Sequence, residues 1–242
     1  MLKKIKKILK KKNKYKIVCL TAYSKSFSKL LDKYCDIILV GDSMANVLYG
    51  MANTHNISLN NIIQHSISVR KGINKSLLVV DMPKGSYNEP IQAKKNAKLI
   101  IKKTNCDAVK IESNRKNFKI IRAIVKAKIP VMGHPGLLPQ TTKGKFKSKG
   151  KTSRERDKLL ADSILLQNCG VFSIVLECIK TSTAKQITKR LKIPTIGIGS
   201  SVNCDGQVLV TDDLIGLNNT KIKFVKNFIN IKKYLNVGLK KF

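Results

Sequence analysis

Apolar residues gather in short runs separated by longer stretches of mixed character. Eight runs, at 17–21, 37–40, 77–80, 108–111, 131–133, 173–176, 195–198 and 207–210, are rich in Ile, Val and Leu. They do not alternate strictly with polar residues. That pattern predicts strands buried on both faces, where neither side meets water. The intervening stretches carry helical spacing. Segment 24–33 holds Phe27, Leu30 and Leu31, and 59–70 holds Ile62, Ile63 and Ile67. Segment 89–103 places Pro90 at a first helical position. Segment 154–168 carries Leu159, Leu160, Ile164 and Leu165 and ends near Gly170, while 182–191 opens on Ser182 as its N-cap.

Strand and helix alternate throughout, which predicts an α/β fold. Eight strands in 242 residues fit one (β/α)8 barrel of the TIM type. An open doubly wound sheet is the second arrangement the same alternation allows. No repeat and no Gly/Ser/Pro linker divides the chain, so residues 1–242 are expected to form a single barrel domain preceded by a Lys-rich segment at 1–16. The connection 136–153 has Lys and Gly but no apolar period. It reads as either a mobile active-site loop or an ordinary surface loop.

Charge changes the picture less than its size promises. The chain has 48 basic residues against 14 acidic, a net charge of +34, which ordinarily points to a polyanionic partner. Yet 42 of the basic residues are Lys and only six are Arg, the residue that forks onto phosphates and guanines. Lys, Ile and Asn can each be encoded by A and T alone, so nucleotide bias accounts for this composition. No Lys falls in 36–69 or 193–220. A basic nucleic-acid-associated protein is therefore the weaker, non-enzyme reading, and no specific nucleic acid is expected. No apolar run is long enough to span a bilayer, and the start lacks a secretory signal. The six cysteines form no C-x-x-C pair and read as free thiols, in keeping with a cytoplasmic protein.

The few acids are placed informatively. Asp42 follows ILVG, Asp81 follows LLVV, Glu112 follows AVKI and Glu177 follows SIVL. Carboxylates at strand ends crowd like charges beside an apolar core, which is unfavourable unless something compensates them. In a barrel those ends surround one mouth, where active sites lie, and converging carboxylates suit Mg2+. Lys110 lies two residues before Glu112 on the same strand face, placed to hold an organic carboxylate. His134 follows the fifth strand as a possible supporting acid–base or hydrogen-bonding group. The stretch at 197–207 is glycine-bearing but lacks the full dinucleotide fingerprint.

These residues lie within longer motifs: TAY (21–23), VGDS (40–43), VRKG (69–72), the D-x-P at 81–83, AVKIE (108–112), P-V-x-G-H-x-G-L-x-P-Q (130–140), LEC (176–178) and IPTIGIGS…DGQVLV (193–210). Through them the chain resembles the ketopantoate hydroxymethyltransferase (3-methyl-2-oxobutanoate hydroxymethyltransferase) family, in family order over about 15–217. The resemblance implies a (β/α)8 barrel that assembles as a homo-oligomer, often a decamer. It implies Asp42, Asp81 and Glu112 as Mg2+ ligands and Asp42, Ser43, Asp81 and Lys110 around the bound oxo acid. It further implies Glu177 as the catalytic proton acceptor. The implied reaction moves a one-carbon unit from 5,10-methylenetetrahydrofolate to 3-methyl-2-oxobutanoate, giving 2-dehydropantoate, the first step of pantothenate biosynthesis.

The chain departs from the family pattern at MANVLYG after VGDS, at Lys84, at Ser201 and in the shortened, lysine-rich stretch after Gln140. These departures fall on segments implied to meet folate, close over the site or form subunit contacts. The metal and base positions are intact. Another Mg2+-dependent 2-oxo-acid lyase or aldolase working through an enolate would use the same strand-end acids.

Overall fold

The computed structural model describes residues 2–142, 144, 146–218 and 222–242. Eight parallel strands close into a barrel in sequence order: β1 (Ile17–Thr21), β2 (Ile37–Val40), β3 (Leu77–Asp81), β4 (Ala108–Glu112), β5 (Val131–His134), β6 (Ser173–Glu177), β7 (Thr195–Ile198) and β8 (Gly206–Leu209). The doubly wound alternative is excluded by the pairing of β1 with β8. Gly206 sits on that closing seam, where a Cβ would lie 2.4 Å from the carbonyl oxygen of Ile17, so the two backbones approach as only glycine permits.

The helices are α1 (Leu2–Lys10), α2 (Lys25–Leu31), α3 (Met44–Val47), α4 (Leu59–Arg70), α5 (Pro90–Thr104), α6 (Phe118–Lys126), α7 (Ser153–Asn168), α8 (Thr181–Arg190), α9 (Thr211–Leu214) and α10 (Ile231–Lys241). Their starts follow local chemistry. Ser24 and Thr152 accept the N–H of Phe27 and Glu155, and Ser58 with Asn61 closes a capping box. Ser182 does not cap its helix: α8 begins one residue earlier, with Lys180 at the cap position and no side-chain cap bond. Residue 170 is the expected glycine, with φ at +90° after α7.

Strand residues alternate between two apolar layers. Ile38, Val40, Leu78, Val80, Val109 and Ile111 face the helices. Ile37, Leu39, Leu77, Val79, Ala108 and Met132 face the barrel interior. That inner layer is sealed at the amino-terminal end by α1, whose Ile5 and Ile8 are buried against it. The Lys-rich amino-terminal segment is thus an amphipathic plug. Lys12 binds Asp205 at 2.8 Å and Lys11 binds Asp36 at 2.5 Å, pinning the plug to the barrel floor. No helix among the described residues is long and apolar enough to cross a membrane.

Candidate active site

The period-two alternation that builds the inner layer dictates what stands at the carboxyl ends. Continuing Leu77–Val79 inward brings Asp81, and continuing Ala108 inward brings Lys110 and then Glu112. Asp81 pairs in register with Lys110, and Glu112 with His134. Glu177 closes β6 on the same rim. Asp42 and Ser43 follow β2 in the turn that enters α3.

Lys110 donates to both Asp81 oxygens at 2.6 Å, in an ion pair removed from solvent. Burial alone would lower the Lys110 ammonium, but the charges of Asp81 and Asp42 outweigh it and hold the group above the ordinary lysine range. Burial pushes Asp81 up to about 6, against the pull of Lys110. The backbone N–H of Asp42 donates to Asp81 Oδ2 at 3.2 Å. Burial pushes Glu112 up to about 9, although its Oε1 accepts the backbone N–H of Gln140 at 2.7 Å.

Gln140, fully buried, ties the group together. Its Nε2 donates to Asp42 Oδ2 at 2.9 Å and to the carbonyl of Met82 at 3.1 Å, and Tyr87 donates its hydroxyl to Oε1 at 2.5 Å. Tyr23 shares a 2.8 Å hydrogen bond with Ser43. None of Gln140, Tyr87 or Tyr23 was expected in the site, because an uncharged side chain in a strand-end motif carries no warning of its own. Gln140 was nonetheless visible as the last residue of the motif at 130–140. Connection 136–153 is accordingly not a plain surface loop. Leu137 and Gln140 are buried, and Gly136, with φ at +108°, lies so close to Glu177 that a Cβ would meet the Glu177 carbonyl at 2.6 Å. Residues 143 and 145 lie outside the described residues.

His134 Nε2 approaches Glu177 Oε2 at 3.1 Å, off the line of a hydrogen bond, and neither ring nitrogen has an aligned partner. The structure therefore brings together Asp42, Ser43, Asp81, Lys110 and Glu112, with His134 beside Glu177 on the same rim. Among the described residues, no three carboxylate, thiol or imidazole groups stand close enough to hold a metal ion as they are. The donor set nonetheless fits a hard cation. Glu112 Oε2 is buried with no partner, and three carboxylates face one ammonium.

A family model described as ketopantoate hydroxymethyltransferase matches residues 2–242. Among relatives, 3-methyl-2-oxobutanoate hydroxymethyltransferase of Pelagibacter ubique (strain HTCC1062) is 56% identical over 242 residues, covering 100% of this chain and 94% of that protein. The protein of the same name from Thermosipho africanus (strain TCF52B) is 46% identical, covering 98% and 91%. Among solved structures, a phosphoenolpyruvate phosphomutase from Streptomyces platensis subsp. rosaceus superposes with a TM-score of 0.70 at 11% identity, covering 99% of this chain and 87% of that one. A 2,3-dimethylmalate lyase gives 0.66 at 12%, covering 98% and 85%. These two likenesses are of fold.

Proposed function

The chain belongs to the ketopantoate hydroxymethyltransferase family, and from that membership we infer its reaction. It is a transferase that moves a hydroxymethyl group to 3-methyl-2-oxobutanoate to form 2-dehydropantoate, a step of pantothenate biosynthesis. Its one-carbon donor is 5,10-methylenetetrahydrofolate, with water supplying the hydroxyl oxygen.

The observation that carries the mechanism is the buried, unpartnered Oε2 of Glu112, set beside Asp42 and Asp81 on the rim that also bears Glu177. Asp42, Asp81 and Glu112 would hold Mg2+, which when bound supplies Lewis-acid polarisation of the substrate ketone. Lys110, braced by Asp81, places a fixed positive charge for the oxo-acid carboxylate. Ser43, oriented by Tyr23, adds a hydroxyl beside it. Glu177 takes the proton from the carbon next to the ketone. Water adds to the folate methylene, whose two C–N bonds break as the nitrogens take up protons. The deprotonated carbon adds to the formaldehyde-level unit so released, whose oxygen takes a proton to become the hydroxyl. His134, 3.1 Å from Glu177, is placed to orient that base.

The test is a coupled assay for 2-dehydropantoate with and without methylenetetrahydrofolate. Turnover should require the folate, whereas a lyase of the same fold would act without it. EDTA should abolish turnover and Mg2+ should restore it, and full activity in metal-free buffer would refute the ligand assignment. We read the whole chain as one barrel unit that works in the cytoplasm as a homo-oligomer, which sedimentation of the purified protein would check.

A further inference from the structure

Residues 48–58, which join α3 to α4, carry a histidine that no step described above uses. The backbone N–H of His55 donates to Asn53 Oδ1 at 2.9 Å, and Thr54 and Ile57 are buried on either side of it. The half-buried ring places Nε2 3.1 Å from the carbonyl oxygen of Pro139. A carbonyl only accepts, so Nε2 carries the proton and donates it. Among the described residues no other donor meets this carbonyl. The same peptide unit has a second contact, since its N–H is that of Gln140, which donates to Glu112 Oε1 at 2.7 Å. The peptide is planar, so the Pro139 carbonyl and the Gln140 N–H turn as one body. The proline ring fixes φ at 139 but not ψ, and the plane can swing unless its edges are held. His55 holds one edge and Glu112 the other.

We propose that His55 is a positioning residue for Glu112, acting through the Pro139–Gln140 peptide. By fixing that plane it commits Oε1 of Glu112 to the Gln140 N–H and leaves the buried Oε2 as the oxygen free to ligate. A donor on the carbonyl also polarises the peptide and strengthens the N–H at its other edge. The two oxygens of a carboxylate are equivalent until one is engaged, so the clamp decides which of them faces a cation. The inference rests on Glu112 as a metal ligand, stated above, and adds the group that orients it.

Two measurements on the full chain test this: hydrogen exchange at the Gln140 amide without metal, and titration with Mn2+ as the hard-cation probe, read by electron paramagnetic resonance. His55→Leu removes the donor, and His55→Gln restores an N–H near the place of Nε2. His55→Ala replaces the leucine variant if that bulk is not tolerated. In His55→Leu the Gln140 amide should exchange about three- to tenfold faster, the effect of one lost hydrogen bond. The amides of β3 should keep their wild-type protection. Mn2+ should bind about tenfold more weakly, as when a group that orients a ligand is lost. His55→Gln should recover both properties. Unchanged Gln140 exchange or unchanged Mn2+ affinity in His55→Leu overturns the inference. Equal acceleration of the β3 amides also overturns it, since His55 would then support the barrel as a whole. A wild type that binds no Mn2+ overturns the ligand reading of Glu112, while the Gln140 amide still decides whether His55 holds the peptide.

Discussion

Glu177 is the residue on which the chemistry can be separated from the metal. Its carboxylate lies beside the His134 ring, and the Mg2+ assignment does not use it. Glu177→Gln is nearly isosteric, so the barrel and metal affinity should persist. Proton removal should fail, because an amide cannot accept a proton at neutral pH. Positioned general bases contribute about 10²–10⁴-fold, and the defect should be of that order. It can be read without folate. In deuterated water the wild type should exchange the hydrogen next to the substrate ketone, and the variant should not. Exchange at the wild-type rate would transfer the role to another group, His134 first. The charged members of this site were legible in the sequence because acids are scarce in it and four stand at strand ends. Of the uncharged members, Ser43 came with the motif at 40–43, whereas Gln140, Tyr87 and Tyr23 were not among the expected residues. Gln140 acts by satisfying two carboxylates from different strands, and Tyr87 by holding Gln140. Those roles exist only once the strands are side by side.

At the scale of elements, strand positions were legible almost to the residue, because a strand buried on both faces leaves a dense Ile/Val/Leu run. Five helices, α1, α3, α6, α9 and α10, were not. In α1 the lysines interrupt the apolar positions so often that Ile5 and Ile8 read as scatter, and only the barrel floor gives them a partner. In α6 the run FKIIRAIVK shows apolar residues without flanking caps, and its start is set by the 3-10 turn Arg115–Asn117. The joint between α2 and β3 carries a pH-dependent element. Asp32, just past α2, accepts the backbone N–H groups of Asn74, Lys75 and Ser76 at 2.8 to 3.1 Å. Burial pushes its carboxyl up, but the N–H donors outweigh this and hold it below the ordinary carboxylate range. The stabilisation is therefore present at neutral pH and is lost as pH falls below about 3.9, through the lower folded value. Asp32→Ala should cost about 1–3 kcal/mol at pH 7, since the buried N–H of Ser76 and the part-buried N–H groups of Asn74 and Lys75 lose their acceptor. The gap from wild type should narrow by pH 3. Denaturant unfolding at both pH values checks it, and a gap independent of pH would mean that the carboxylate's charge contributes nothing.

The whole molecule carries a net charge of +34, yet the structure spreads that charge instead of focusing it. Lys3, Lys6, Lys7 and Lys10 lie on the outer side of α1, and Lys94, Lys95 and Lys98 lie along α5. Segment 36–69, which contributes Asp42 and Ser43 to the mouth, has no lysine at all. A dispersed shell of ammonium groups attracts any polyanion through counterion release and reads no base, because base discrimination needs donors fixed in a groove. With six arginines in 242 residues, the bidentate contacts that recognise guanine are scarce as well. Duplex DNA should therefore bind weakly at low ionic strength, with the same affinity for unrelated sequences. That affinity should fall by orders of magnitude between about 50 and 200 mM salt, as several phosphate contacts are lost together. Fluorescence anisotropy with two unrelated duplexes across that salt range measures both properties. A tenfold preference for one duplex at about 150 mM salt would show a built nucleic-acid surface and would overturn the assignment of the charge to solvated lysines.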